Sequence, residues 1–208
     1  MPAVASLDYR ALLSRILQTV DQCAYLTPTN HIDPGQRDAM RRVEKAIQAS
    51  NFDPEAVRVL IRRLHQEGQI DRVMMLSALH VVAAHPAVKD YAEAARLTGE
   101  QEFAALSLGG PNLSNNLASI DRHRGVLAWI MGNSSVALDH FVRAMERQHT
   151  VENLGNVLCA LLRLSQMEEA MNLVQRVRAT HPPSFIAELN QRIQQDPDLS
   201  LLAASEIA

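Results

Sequence analysis

Residues 114–147 read SNNLASIDRHRGVLAWIMGNSSVALDHFVRAMER, two helix-like stretches on either side of Gly132. A tight turn between two helices requires a residue with little or no side chain. Small residues in comparable positions recur along the chain at intervals of 31 or 33 residues: Gly35, Gly68, Gly99, Gly132 and Ser165. This period is typical of stacked helix–turn–helix units, which present an extended surface.

The composition supports a helical chain. Of the 208 residues, 47% are hydrophobic but only 4% are aromatic. Alanine, leucine, arginine, glutamine and glutamate favour helices, and the β-branched and aromatic runs of a sheet protein are missing. We therefore predict an all-α fold. The formal net charge of −3 gives no global basic field, which argues against nucleic acid as a partner.

Cysteine content and hydropathy bear on the compartment. Cys23 and Cys159 lie far apart in apolar helical surroundings, so both are expected to be buried free thiols. No segment has the length and apolar character of a signal peptide or a membrane span. These features predict a cytoplasmic protein without membrane insertion.

The chain divides into three predicted regions. Residues 1–50 form an N-terminal helical segment packed on the array, residues 51–183 form helix pairs, and residues 184–208 form a capping helix and an apolar tail. In the N-terminal segment, helices are predicted at Ser6–Tyr25 and Gln36–Ala49, with a loop at Leu26–Pro34. Asp53 is predicted to cap the next helix, with Pro54 in its first turn.

The helix pairs flank the small residues. The predicted pairs are Glu55–Glu67 with Gln69–Ala84, Ala87–Leu97 with Glu100–Leu108, Ser114–Met131 with Ser134–Arg147, and Val151–Leu164 with Gln166–Ala179. A break at Leu108–Asn112 truncates the second helix of its pair, as a surface loop or as a notch for a ligand. The apolar tail after residue 198 is expected to fold back on the last helices or to act as a docking segment.

Aligned on the turn residues, these units resemble tetratricopeptide repeats. The unit around Gly132 fits best, with Gly125 before the turn and Ala137, Phe141 and Ala144 after it. The resemblance implies a right-handed superhelical array of antiparallel helix pairs. It also implies close helix crossings between small residues, Gly125 against Ala137 and Ala92 against Ala104.

In tetratricopeptide-like arrays the first helix of each pair lines a concave groove. By this resemblance the lining residues of this chain are Arg58, Arg62, His65, Lys89, Arg96, Arg122, Val126, Trp129, Leu162 and Arg163. The groove would be basic at one end and apolar at the other. Such a surface suits a peptide that carries acidic residues followed by hydrophobic anchors. The alternative is an ordinary solvated face, in which Arg58 pairs with Glu55 and Arg63 with Glu67.

No motif indicates catalysis. Phosphate-binding, dinucleotide-binding, nucleophile-elbow and zinc-protease patterns are absent, and the eight histidines are scattered, so no catalytic residue, metal or cofactor is predicted.

The predicted function is a non-catalytic adaptor that binds a peptide segment of a partner protein. Residues 154–162 also look like the last unit of cytoplasmic chaperones of bacterial secretion systems. A further alternative is self-association into a homodimer or filament through two apolar ends, Leu12, Leu13 and Ile16 at one and Leu199–Ala203 at the other.

Overall fold

A computed structural model describes residues 9–23 and 33–204, apart from the side chains of Tyr9, Arg10, Cys23 and Ala204. In this part of the chain every regular element is a helix and no strand occurs, so the all-α prediction is confirmed. The helices are α1 (Tyr9–Cys23), α2 (Pro34–Ile47), α3 (Pro54–Gln66), α4 (Arg72–Ala84), α5 (Tyr91–Leu108), α6 (Leu113–Ile130), α7 (Ser134–Arg147), α8 (Val151–Arg163), α9 (Met167–Thr180), α10 (Pro183–Gln195) and α11 (Ser200–Ala204). A 3-10 turn, Pro197–Leu199, precedes α11.

The chain forms two compact units. The central unit is Thr29–Leu127, and the terminal unit combines Met1–Pro28 with Ala128–Ala208. In the central unit, α3 packs on α2 and α4, and α4 packs on α5. In the terminal unit, α8 packs on α7, α9 and α10, and α1 packs on α7 and α9. The predicted N-terminal segment, residues 1–50, therefore contributes α1 to one unit and α2 to the other.

Three of the five predicted turn residues occupy one and the same type of helix end. Gly68, Gly132 and Ser165 have φ angles of 69°, 81° and 61°, in the left-handed region. In each turn the following backbone N–H donates to the carbonyl five residues earlier, at 2.8 to 2.9 Å, which closes the last helical turn. Small side chains at these positions are thus explained by backbone conformation.

The predictions for Gly35 and Gly99 are wrong. Gly35 lies in the first turn of α2, where Asp33 caps the helix by accepting a hydrogen bond from its N–H at 2.8 Å. The predicted loop over residues 26–34 lies outside the described residues except for Asp33 and Pro34, and Pro34 already belongs to α2.

Gly99 lies in the middle of α5, which is a single helix from Tyr91 to Leu108. A helix-interior glycine costs about 1 kcal/mol relative to alanine, and the burial of Leu97 and Ala104 on either side offsets that cost. Ala92 and Ala104 consequently share one helix instead of crossing from two. Ala92 is exposed, so this predicted contact is also wrong.

The turn between α5 and α6 coincides with the predicted break at Leu108–Asn112. Gly109 and Gly110 there have φ angles of 59° and 77°. The break therefore ends a full-length helix and does not truncate the second half of a pair.

The predicted fold-back of the C-terminal tail is confirmed for the described residues. Leu199 and Leu202 are 0% and 2% exposed. The 3-10 turn contacts α8 and α10, and α11 contacts α10. At the other end of the chain, Leu12 and Ile16 of α1 are buried as well. The two apolar ends that were predicted, as an alternative, to mediate self-association are thus largely packed within the terminal unit.

Ser165 offers a first test of these helix ends. A residue with a side chain is strained in the left-handed region, so Ser165→Gly is expected to raise the free energy of unfolding by about 0.5 kcal/mol, net of the added freedom of the unfolded chain. Urea denaturation followed by circular dichroism measures the change. Ser165→Ala keeps the Cβ atom and should give no gain; equal gains from both variants would contradict this explanation.

Candidate functional site

The residues predicted to line a groove lie in both units. The central unit holds Arg58, Arg62 and His65 on α3, Lys89 in the α4–α5 connection, Arg96 on α5, and Arg122 and Val126 on α6. The terminal unit holds Trp129 at the end of α6 and Leu162 and Arg163 at the end of α8.

In the central unit, three of the predicted arginines act on one carboxylate, that of Glu93, one by direct contact and two through their charge. Arg96 binds Glu93 through two hydrogen bonds of 2.7 Å. This contact lowers the pKa of Glu93, and the positive charges of Arg58 and Arg62 lower it further. The arginines of α3 and α5 are therefore close enough to influence the same carboxylate. Acidic residues offset much of their charge, because Arg58 also pairs with Glu55.

Two other predicted residues have local structural roles. The Nδ1 atom of half-buried His65 lies 3.1 Å from the carbonyl oxygen of Ile70, across the α3–α4 turn. Lys89 was predicted within a helix, but it precedes the Asp90 cap of α5 and has a φ angle of 58°. The helix prediction for Lys89 is wrong because Asp90 caps α5 by accepting a hydrogen bond from the Glu93 N–H, so the helix begins only after it. Arg122 and Val126 are half-buried on α6.

In the terminal unit, the three predicted residues line one open cleft of about 510 Å³. The Arg163 guanidinium lies over the Trp129 ring, 4.3 Å from its centroid. Its Nη1 donates to the Trp129 carbonyl oxygen at 3.4 Å. In the described part of the chain Arg163 makes no ion pair with a carboxylate. Leu162 lies beside them, and Leu201 on the opposite wall is 57% exposed. We call this the Trp129 cleft.

The face of α8 that lines the cleft extends toward the start of the helix, but a side chain of α10 covers it there. Gly155 and Cys159 precede Leu162 by seven and three residues and share its face. The Arg192 side chain of α10 lies on Gly155, where an added Cβ atom would be 2.1 Å from its Nε. Arg192 is held by Asn156, whose Oδ1 accepts from Nη2 at 3.2 Å. The glycine therefore provides room for an arginine within the unit.

Cys159 forms part of the cleft wall and is a free, buried thiol. Burial, and after it the carboxylate of Asp196, raise the pKa of this thiol to about 12, so it is protonated at neutral pH. Cys159, Asp196 and Asp198 hold possible ligand atoms within 4.8 Å of one another and are the described residues that could hold a divalent cation. The Arg192 guanidinium lies 3.5 Å from Asp196 and already supplies positive charge there.

Sequence reasoning missed two buried histidine pairs. In the central unit the rings of His80 and His123 stack with centroids 4.0 Å apart. His80 Nδ1 lies 3.0 Å from the Ala94 carbonyl oxygen, so this nitrogen carries the proton. His123 Nδ1 lies 3.1 Å from Gln101 Oε1. Burial lowers the pKa of His80, and it lowers that of His123 well below the usual value.

In the terminal unit the Nε2 atoms of His149 and His181 are 2.7 Å apart, so at neutral pH one donates to the other. Phe185 stacks on His149 with ring centroids 5.4 Å apart. Burial lowers the pKa of His149 to about 4, and it lowers that of His181. The sequence does carry a signal for this pair. The two histidines are 32 residues apart, and each shortly precedes a helix, α8 or α10.

No protein-family model, curated protein or solved structure matches this chain. None of the described helices is long and apolar enough to cross a lipid bilayer. The tetratricopeptide resemblance thus stays a prediction.

Proposed function

We propose that this protein is a non-catalytic adaptor, and that the Trp129 cleft captures an acidic and apolar segment of a partner protein. The observation that supports this proposal is the position and the lack of an ion pair of the Arg163 side chain. Its guanidinium is exposed, is held in place over the Trp129 ring, and makes no ion pair in the described part of the chain. Asp198 also lines the cleft but forms no ion pair with Arg163, so the guanidinium is available to a carboxylate from another molecule.

The walls of the cleft define the rest of the ligand. The Trp129 ring, Leu162 and Leu201 present apolar surface next to the Arg163 charge. An aliphatic or aromatic side chain would remove this surface from water, while a neighbouring carboxylate would reach the guanidinium. Because both helices that carry Trp129 and Arg163 are already ordered, little protein entropy is lost on binding.

We also infer that the helix pairs follow the right-handed order of tetratricopeptide repeats. Support comes from the helix end that Gly68, Gly132 and Ser165 share, and from the buried small residues Ala137 and Ala144 after Gly132. In such an order α8 is the first helix of its pair. The Trp129 cleft then lies on the face that the resemblance assigns to ligands.

The only tryptophan of the chain lies in this cleft, so its fluorescence reports binding directly. We expect the Trp129 emission to change when the protein is titrated with a short synthetic peptide carrying two aspartates followed by two leucines. A matched peptide with lysines in place of the aspartates should bind at least about tenfold more weakly, a difference of about 1.4 kcal/mol.

Arg163→Glu tests the charge. It is expected to weaken binding of the acidic peptide by about tenfold or more, because an attraction becomes a repulsion, while helicity stays unchanged. Arg62→Glu makes the same change of charge on an exposed residue of the central unit and is expected to have a smaller effect. If Arg62→Glu loses binding and Arg163→Glu does not, the peptide does not bind in the Trp129 cleft, and the face formed by α3 and α5 becomes the favoured site.

A further inference from the structure

Helix α5 presents an apolar face that is exposed and is not covered by the other residues that the structure describes. Phe103 and Leu106 on this face are 70% and 58% exposed. Ala92, Ala95 and Gly99 precede them on the same side and are exposed as well. At 100° per residue, all five fall within about 80° of the helix surface, along a line of about 21 Å. We call this set the α5 stripe.

The fold itself does not need the glycine in this stripe. Gly99 is helical, and a Cβ atom at this position would meet nothing within 4 Å. Glycine destabilises a helix interior relative to alanine. A small residue here is explained if another backbone approaches α5 closely at this point.

The stripe is self-complementary. When a second copy of α5 runs in the opposite direction with its Gly99 opposite the first, large side chains of one copy lie opposite small ones of the other. Ala95 lies four residues before Gly99, and Phe103 lies four residues after it. Ala92 lies seven residues before, and Leu106 seven residues after. In an antiparallel pair with a two-fold axis at Gly99, each large side chain of one copy faces an alanine of the other. The two glycines meet at the axis.

The charges at one edge of the stripe are compatible with this arrangement. Arg96 and Glu100 lie on the same edge and bind each other within the helix. In an antiparallel pair related by a two-fold axis, equal edges of the two helices meet. Arg96 of one copy then comes near Glu100 of the other. The two Glu100 side chains come equally near each other, with an Arg96 of each copy flanking them, so this edge holds two opposite-charge contacts and one like-charge contact.

We propose that the α5 stripe binds a second copy of this chain, with the two α5 helices antiparallel and crossing at Gly99. The proposal rests on the central unit and is independent of the Trp129 cleft. It differs from self-association through the apolar chain ends, since Leu12, Ile16, Leu199 and Leu202 are buried within the terminal unit. The single-helix contact is small, so the dimer should dissociate on dilution.

The first experiment is sedimentation velocity of the full chain over about a hundredfold range of concentration. The expected result is a monomer–dimer equilibrium. Phe103→Glu should weaken the dimer at least about tenfold, because two carboxylates would be buried against alanine. Leu108→Glu is the matched control: this residue is 62% exposed near the end of the same helix but lies off the stripe, and it should leave the equilibrium unchanged.

The second experiment tests the register. Ala95→Lys should weaken the dimer on its own, as Phe103→Glu does. A mixture of the two variants should form a heterodimer, because one contact then pairs lysine with glutamate and the other keeps alanine against phenylalanine. A wild-type chain that stays monomeric, or a Phe103→Glu variant that dimerises normally, would overturn the proposal. Two monomeric variants that fail to associate when mixed would overturn the crossing at Gly99.

Discussion

Lowering the pH from 7 to 5 is expected to reduce the free energy of unfolding by at least about 2 kcal/mol. The effect arises from buried histidines that are neutral in the folded chain. For His149 the pKa is about 4 when folded and 6.5 in the unfolded reference. That difference alone corresponds to about 2 kcal/mol at pH 5, and His80, His123 and His181 act in the same direction.

The sign follows from proton uptake. A histidine with a lowered pKa binds a proton in the unfolded chain before it does so in the folded one. Stability is therefore full above pH 6.5, falls as the pH drops below that value, and stops falling below the folded pKa. The carboxylate with the lowered pKa in the central unit, Glu93, has a reference value of 4.5, so its contribution is lost only at lower pH. The interval between pH 6.5 and 4.5 thus isolates the histidines.

Urea denaturation at several pH values measures this effect. Trp129 fluorescence follows the terminal unit, which contains His149 and His181. His149→Phe keeps a ring against Phe185 but cannot take up a proton. It is expected to reduce the slope of stability against pH by up to about 1.4 kcal/mol per pH unit. His123→Phe is the corresponding variant for the central unit. A wild-type stability that is constant from pH 7 to 5 would contradict the burial of these rings.

The turns show how far the sequence predicts this fold. Gly68, Gly132 and Ser165 are identified correctly because a helix end with a left-handed residue is a local requirement. Gly99 has the same spacing but a different role, since packing of the buried side of α5 holds the helix together through it. Spacing alone does not distinguish a glycine that ends a helix from one that lies within a helix.

Less of the candidate site than of the fold can be predicted from the sequence. Trp129, Leu162 and Arg163, which were predicted from their positions before the turns, line one cleft, and whether that cleft binds a ligand stays a prediction. The opposite wall, formed by the 3-10 turn and the start of α11, is not predictable in the same way, because the position of the turn depends on how the tail packs against α8. The stacking of His80 on His123 is likewise a tertiary contact between residues 43 positions apart, with no repeat spacing to indicate it.

Leu158→Ala is expected to lower the free energy of unfolding of the terminal unit by about 3 kcal/mol, within a range of roughly 2 to 5. Leu158 is fully buried on α8, the helix that contacts α7, α9, α10 and the 3-10 turn. Removing three carbon atoms there leaves a cavity surrounded on several sides, which the neighbouring helices cannot all close at once.

Leu162→Ala, one turn further along α8, provides the matched comparison. Leu162 is only half-buried and lines the Trp129 cleft, so its truncation should cost less than about 1 kcal/mol of stability. The same variant should weaken binding of the acidic peptide, because it removes apolar wall next to Arg163. Leu158→Ala at low temperature, where the unit remains folded, should bind the peptide almost normally. If Leu162→Ala unfolds the unit as readily as Leu158→Ala does, Leu162 belongs to the core and the cleft lacks the apolar wall that the proposed ligand requires.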